Sequence, residues 1–333
     1  MSGCVHIVIV NYRTADLVID CLRSLAAQVD DLGGGRVSVI DNASGDGSVP
    51  QLAYAIEREG WSNWAQVVPQ DRNGGFSFGN NAGIRLALAA AKQVDYVMLL
   101  NPDTIAREGA VKALVSFLDH HPRAGIAGSL LENRDGGVER SAHRVHSPLG
   151  ELNAGARLGV LSRLLRRYVV SEGSAAEAHR CDWVSGASLI VRREVIGQVG
   201  LMDEGYFLYF EEVDFCRRAQ QAGWECWYVP DSRVMHLEGA STGVSIAAKR
   251  RARYWYDSRR RFFAKHYGVA GLVAADMLWA IGRLSFLLRR GLRIGASCRE
   301  NNDPKWYMFD LLWGDLWAIL RGRARIPHVG KQP

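Results

Sequence analysis

The chain has 333 residues, is 48% hydrophobic and 23% charged, and carries a net charge of +6. These values exclude a disordered or collagen-like chain, and the length suits one large domain with an extension better than two equal domains. The charge is uneven: residues 249–333 hold 18 Lys and Arg against 6 Asp and Glu, so a basic end follows a net acidic body and points to an anionic surface as partner.

The chain opens on the apolar run Val5–Val10 with no basic leader or cleavage site, so no signal peptide is expected. Six cysteines (Cys4, Cys21, Cys181, Cys216, Cys226, Cys298) show no CxxC pair, which fits a reducing cytoplasm rather than a disulfide framework. The continuous apolar run predicts a strand buried on both faces. Thr14 is placed to cap the helix that follows, with Leu17, Cys21, Leu22 and Leu25 inward. Strands are predicted over Val37–Ile40, Ala65–Val68 and Tyr96–Leu100. Helices are predicted near Val49–Glu59, Asn80–Lys92 and Glu108–His120. Repeated β-α units imply a parallel sheet with helices on both faces and a ligand crevice beyond the carboxyl ends of the strands. Asn11, Asp41 and Asp103 all fall at or just past such ends. Residues 131–180 are less regular and read as hairpins and a loop. Apolar order returns at Trp183–Val191, a helix begins near Glu211, and a strand covers Trp224–Val229. From Ala247 onward the pattern is helical and basic.

Five phrases bear on chemistry. Asp41-Asn42-Ala43-Ser44 is either a plain turn ahead of a helix capped by Ser48 or a site where the Asp41 carboxylate accepts from a pyrimidine N3–H. Asn73–Gly83 is Gly/Asn-rich and reads as a loop that admits a ligand close to the backbone, or as one that needs only positive φ angles. In Asn101-Pro102-Asp103, Asp103 is either a helix cap or an oxygen ligand for a hard divalent cation on a diphosphate. His236 is a second metal candidate if the fold brings it over. Glu211, Glu212 and Asp214 either complement the dipole of the helix they open or supply a base for an acceptor hydroxyl.

Taken together these phrases resemble the family-2 inverting glycosyltransferases of the GT-A fold, and more narrowly their bacterial rhamnosyltransferase branch. The matching residues are Val8-Ile9-Val10-Asn11-Tyr12, Asp41-Asn42-Ala43-Ser44, and Asn73, Gly75, Gly79, Asn81 and Gly83 in an NxGxxxGxNxG pattern. Leu100-Asn101-Pro102-Asp103, Trp183-Val184-Ser185-Gly186-Ala187 and the stretch from Gly200 to His236 complete the match. The resemblance implies an α/β Rossmann-like mixed sheet flanked by helices, with a catalytic domain over residues 1–245 and a helical extension over 246–333. It implies that Asn11, Tyr12, Asp41, Asn73, Gly75 and Asn81 bind the nucleotide. Asp103 and His236 would hold Mg²⁺ or Mn²⁺, and Trp183 and Gly186 would border the acceptor. Glu212 falls where the family has the Asp that acts as base, a departure that keeps the carboxylate and adds a methylene; Glu211 sits beside it and Asp214 is the fallback base. The implied reaction is a single in-line displacement with inversion, from dTDP-rhamnose or else a UDP-hexose or GDP-mannose, to a glycan or polyprenyl-diphosphate-linked acceptor. A non-catalytic nucleotide-sugar module is the alternative.

In the basic end, Leu272–Leu288 is apolar, with Asp276, Arg283 and Arg290 recurring every seven residues on one stripe. That spacing predicts an amphipathic helix lying in a membrane interface rather than a spanning one, with soluble helical packing or oligomerisation as the alternative; the resemblance implies the cytoplasmic face of the inner membrane. Trp306, Tyr307, Trp313 and Trp317 are expected at the interface, and the Lys249–Arg251 and Arg259–Arg261 clusters at anionic headgroups. Nucleic-acid binding is not expected, since no recognition motif accompanies the charge.

Overall fold

A computed structural model describes residues 3–90, 92–171, 176–237, 250–294 and 303–324. The elements in chain order are β1 (Val5–Asn11), α1 (Ala15–Ala26), β2 (Val37–Asp41), α2 (Ser48–Arg58), β3 (Ala65–Pro69), α3 (Gly75–Ala89), β4 (Tyr96–Leu100), β5 (Thr104–Ala106), α4 (Ala110–His120), β6 (Ala124–Glu132), β7 (Val138–Glu139) and β8 (Ala142–His143). They continue with α5 (Pro148–Ala156), α6 (Gly159–Leu164), β9 (His179–Cys181), β10 (Trp183–Val184), β11 (Ser188–Arg192), α7 (Arg193–Val199), α8 (Glu211–Gln221), β12 (Glu225–His236), α9 (Arg253–Gly291) and α10 (Tyr307–Leu320).

The chain divides into two compact units. The first comprises Met1–His143, Glu172–Phe207 and Glu211–Ser245; the second comprises Arg144–Ser171, Leu208–Phe210 and Ile246–Pro333. One division falls after Ser245, and residues 144–171 and 208–210 group with the helical unit.

The first unit is built on a sheet of order β3-β2-β1-β4-β11-β6-β12-β5. The strands β3, β2, β1 and β4 are parallel, as the β-α repeats predict. Beyond them β11 runs antiparallel to β4 and β6, and β12 pairs parallel with β6 and antiparallel with β5. Both faces are covered: β1 sends Val5, Ile7 and Ile9 into one core and Val8 into the other. Cys4, Cys21, Cys181, Cys216 and Cys226 are buried free thiols, and Cys298 lies outside the described residues.

Three local expectations change. The Gly/Asn-rich stretch is not a loop: α3 begins at Gly75, so Gly79 and Gly83 lie one turn apart inside it. A Cβ at Gly79 would come 2.7 Å from Val10 Cγ1, and one at Gly83 2.3 Å from Val8 Cγ1. The i, i+4 glycines of the helix thus meet the i, i+2 valines of β1, and their work is close helix–strand approach. Thr14 stands at the start of α1 without a side-chain cap bond; Asn11 Oδ1 instead accepts from its backbone N (3.1 Å) and Oγ1 (2.9 Å). Ser48 lies inside α2, and Asp46 Oδ1 accepts from its N (3.0 Å) and Oγ (2.5 Å).

The second unit is helical. Ser147 Oγ caps α5 by accepting from Gly150 N at 3.1 Å. Helix α5 packs against α9 through small residues on both sides: a Cβ at Gly155 would sit 2.4 Å from Trp279 O, and one at Gly282 2.4 Å from Leu152 O. Helix α9 is interrupted at Gly268, whose φ is 71°. It is long and apolar enough in part to cross a membrane by length and composition alone. Several of its charges turn inward, against expectation, although Arg290 of the expected stripe is exposed. Arg259, 1% exposed, meets Glu151 (2.9 Å), Asp276 (2.8 Å) and Asp315 (3.1 Å). Arg260 meets Asp315 at 2.6 Å, and the buried Arg283 pairs with Asp303. Arg250 pairs with Asp310. The Asp276/Arg283 stripe and much of the arginine cluster are therefore internal ties rather than headgroup contacts, and Lys249 lies outside the described residues. What α9 and α10 turn outward is apolar: Met277, Ile281, Leu284, Leu288, Leu292, Trp306, Phe309, Trp313 and Trp317 are exposed.

Candidate active site

The carboxyl ends of β1 and β2 place Asn11 beside Asp41 in register. Asn11 Nδ2 donates to Asp41 Oδ2 at 2.7 Å, and Asp41 also accepts from Ser44 N (3.0 Å) and Ser44 Oγ (2.6 Å). Arg13 and Ala43 hold left-handed backbones here, at φ 59° and 54°. Arg13 Nε donates to Ser44 O at 3.0 Å, which ties the two loops together. Tyr12 is 40% exposed, with the Arg13 guanidinium 5.1 Å from its ring centroid. Tyr12 is thus exposed beside this pair, whereas Asp41, 2% exposed, and the Asn11 amide are both engaged within the fold.

The other residues expected on the nucleotide also have internal work. Asn73 Oδ1 accepts from Gly75 N at 3.0 Å. Gly75 has φ 86°, and a Cβ there would lie 2.1 Å from Phe207 O; the neighbouring Phe76 N donates to that carbonyl at 2.7 Å. Its glycine is required by the close approach of the Phe207 backbone. Asn81, 1% exposed, donates to Met202 O and Glu204 Oε1 (2.9 Å each) and accepts from Met202 N (3.0 Å), stapling α3 to that segment.

Past β4, Asp103 is 1% exposed. Antiparallel pairing of β5 with β12 sets His236 opposite Thr104, and Leu237 N donates to Asp103 O at 2.9 Å. His236 Nε2 lies 3.5 Å from Asp103 Oδ1, so the expected pair is together. Glu139 Oε2 lies 3.7 Å from His236 Nδ1 on the far side of the ring. The sequence reading missed Glu139, which sits on a two-residue strand with no motif around it. Asp103 and His236 offer one oxygen and one nitrogen donor. Among the described residues no cluster of three or more His, Cys, Asp or Glu is arranged to hold a metal ion. The pair fits a divalent cation that takes its remaining ligands from diphosphate and water, with Glu139 orienting the imidazole.

Glu211 and Glu212 open α8. Glu211 is 3% exposed, and one buried oxygen of each carboxylate has no hydrogen-bond partner among the described residues. Burial, and then the Glu212 charge, hold the Glu211 carboxyl well above the usual range. Burial pushes Glu212 up to about 7, against the opposing pull of the backbone N–H groups at the helix start. Asp214 is wholly buried, held by Arg218 Nε at 2.9 Å and near Tyr206 OH at 3.4 Å. That setting suits a brace better than a base. Trp183 pairs with His143 across β10 and β8, their rings stacked 4.1 Å apart.

A run of contacts joins these groups. Asn42 Nδ2 donates to Gly75 O at 2.9 Å. A Cβ on Gly186 would touch Phe76 at 3.5 Å and Glu212 Cβ at 3.8 Å. Asn101 N donates to Ala187 O at 2.9 Å. Glu212 thus lies against Gly186, whose neighbour Ala187 meets Asn101 two residues ahead of Asp103, and Phe76 at the same glycine follows the Gly75 that meets Asn42.

The profile of the family described as "Glycosyltransferase like family 2" matches residues 3–258. The chain is 31% identical over 318 residues to the N-acetylglucosaminyl-diphospho-decaprenol L-rhamnosyltransferase of Mycobacterium tuberculosis, covering 92% of this chain and 97% of that one. It is 25% identical over 268 residues to the dTDP-rhamnosyl transferase RfbF of Shigella flexneri, covering 79% and 80% respectively. Among solved structures it resembles the mannosyltransferase PcManGT of Pyrobaculum calidifontis in complex with GDP-Man and Mn²⁺. That match has a TM-score of 0.54 and 16% identity, over 96% of this chain and 81% of that one. It supports the GT-A fold.

Proposed function

Because this chain belongs to the family-2 glycosyltransferases, we propose that it transfers L-rhamnose from dTDP-rhamnose to a lipid-linked glycan acceptor, with inversion, during cell-surface polysaccharide synthesis. The observation that supports this reading is the pairing of Asp103 with His236 past β4, with the buried Glu212 against Gly186 next to the Ala187 that Asn101 meets. The rhamnosyl donor and the diphosphate-lipid acceptor come from the names of the two relatives.

In this reading Tyr12 and Asp41 take the base of the nucleotide. Tyr12 offers its exposed ring, and Asp41 the acceptor capacity left over from Asn11 and Ser44. Asp103 and His236 hold the metal, with Glu139 fixing the imidazole; a bound Mg²⁺ or Mn²⁺ supplies neutralisation of the charge that grows on the leaving diphosphate. Glu212 takes the proton from the acceptor hydroxyl as its oxygen attacks the anomeric carbon on the face opposite the diphosphate. A pKa near 7 keeps a working fraction of Glu212 ionised while making the carboxylate basic enough for the task. Burial and the Glu212 charge hold the neighbouring Glu211 carboxyl well above the usual range, which disfavours a second charge beside Glu212. The small Gly186 leaves room beside Glu212 for the acceptor, and Trp183, stacked on His143, borders that side.

The partner surface in this proposal is the anionic cytoplasmic face of the inner membrane. Support comes from the outward apolar stripe Met277, Ile281, Leu284, Leu288 and Leu292, followed by the exposed Arg290 and Arg293, with Trp313 and Trp317 on α10. A panel of nucleotide sugars tests the donor: dTDP-rhamnose should turn over fastest, and preferential turnover of UDP-hexoses or GDP-mannose would replace it.

A further inference from the structure

Near the carboxyl ends of β6 and β12 one buried acid holds two arginines. Glu132 closes β6, and its side chain is 4% exposed. Arg107, just past β5, donates from Nε to Glu132 Oε2 at 3.0 Å. Arg233 on β12 donates from Nε to Glu132 Oε1 at 2.7 Å. The strands bring the two arginines together: Arg107 N donates to Arg233 O at 3.0 Å, one step beyond the Ala106–Val234 pair of the β5–β12 ladder. A buried carboxylate needs one cation to offset its charge. Two arginines leave one positive charge in surplus, and among the described residues no other carboxylate pairs with either guanidinium. The Arg107 and Arg233 side chains are 48% and 56% exposed, so the surplus faces solvent. Exposed ion pairs add little stability, and the fold alone gives no reason for the second arginine.

Strand alternation sets this cluster on the face of the sheet where α8 packs. Ala106, Leu131 and Val234 belong to one core, whereas Leu130, the register partner of Arg233, belongs to the other with Phe215 and Cys216 of α8. Arg107 and Glu132 each follow a residue of the first core and so turn toward the second. Arg233 precedes His236 by three residues on β12, about 10 Å along the strand. The pair is thus close to the proposed metal ligands without being part of them.

We propose that Arg107 and Arg233 bind the diphosphate of the lipid-linked acceptor. The inference rests on the acceptor class proposed above, in which a diphosphate joins sugar to lipid. Guanidinium forks match phosphate oxygens in pairs. Glu132 engages Arg107 through Nε alone, which leaves its Nη groups for phosphate. The donor's diphosphate is served separately, by Asp103 and His236 with the metal. A like arrangement elsewhere supplies a control: Arg123 and Arg180 share Glu225 at the start of β12, the end of the strand away from the carboxyl ends where ligands bind.

The test is acceptor kinetics of the full chain with dTDP-rhamnose and two acceptors, N-acetylglucosaminyl-diphospho-farnesol and an alkyl N-acetylglucosaminide without the diphosphate. Arg107→Gln and Arg233→Gln each leave Glu132 one partner. Each should raise the KM of the diphosphate acceptor about tenfold, as the loss of one charge-assisted contact to phosphate implies. The KM values of the donor and of the alkyl glycoside should stay within about twofold of wild type, and Arg123→Gln should change none of the three. The site is overturned by an unchanged diphosphate-acceptor KM in both variants, by an equal rise for both acceptors, or by an equal rise in Arg123→Gln. Weaker sedimentation of the two variants with anionic vesicles, with the acceptor KM intact, would assign the pair to lipid headgroups and overturn it too. Should the wild-type chain use neither acceptor, the proposed reaction falls, and calorimetric titration of farnesyl diphosphate without divalent cation decides the site by itself. Affinity about tenfold weaker in the variants supports it there, and equal affinity overturns it.

Discussion

In the proposed reaction Glu212 is the base, and its environment sets the pH at which it would work. Burial raises its carboxyl from the ordinary range near 4.5 to about 7. A base must be ionised, so kcat/KM should climb about tenfold per pH unit below 7 and level off above it. A limb near 4.5 would show that the acid working in turnover is not this buried one. Glu212→Gln should lower kcat by about 10²–10⁴-fold with the fold intact; an unchanged rate would remove the residue from the mechanism. The Glu211–Glu212 pair was legible in the sequence because consecutive acids at a helix start are conspicuous. Asp103 and His236 were each legible as candidate ligands, but not as a pair, since 133 positions of chain separate two partners that β5–β12 pairing brings together. Glu139 left no trace, because a two-residue strand has no periodicity to read. Asn11 and Asn81 have work within the fold that the sequence did not reveal, because a buried amide that serves the fold has the same one-dimensional pattern as one that serves a ligand.

At the scale of elements, α3 shows where pattern reading fails. Glycine and asparagine disfavour helix by roughly 0.5–1 kcal/mol each relative to alanine, and Asn73–Gly83 therefore reads as a loop. Close packing against β1 overrides that preference, because no larger residue fits over Val8 and Val10. Gly83→Ala puts a methyl 2.3 Å from Val8 Cγ1. Overpacking of that kind costs about 1–3 kcal/mol, more than the gain in helix propensity. A lowered melting temperature in Gly83→Ala is the expected outcome, and a raised one would mean that α3 can move off the sheet freely. In α9 the seven-residue recurrence of Asp276 and Arg283 was visible and correctly placed both on one stripe. Sequence spacing assigns residues to a stripe but not the stripe to a direction, and the inward choice follows from partners at Glu151, Asp303 and Asp315, far away in the chain.

For the whole molecule, the β-α alternation of the first hundred residues was enough to foretell the parallel half of the sheet. The mixed half was not, because β11 and β12 enter it after long excursions and their directions depend on connections without a local signal. The membrane proposal belongs at this scale too. The helical unit buries an arginine with three acids and turns leucine, methionine and tryptophan outward, an inside-out order that suits lipid more than water. Sedimentation with vesicles containing anionic lipid should pull down the full chain, and Met277→Glu with Ile281→Glu should release it while leaving transfer to a water-soluble acceptor in place. Equal sedimentation of the double variant would move the attachment elsewhere.

Stereochemistry puts the central claim to the most direct trial. Incubated with dTDP-rhamnose, a divalent cation and a polyprenyl-diphosphate acceptor bearing a sugar, the protein should yield a product whose new glycosidic bond, read by NMR, has the anomeric configuration opposite to that of the donor. That is the outcome of a single displacement driven by one carboxylate base. A product of retained configuration would contradict it, since retention needs a second displacement or a front-face route that a lone base at Glu212 does not provide.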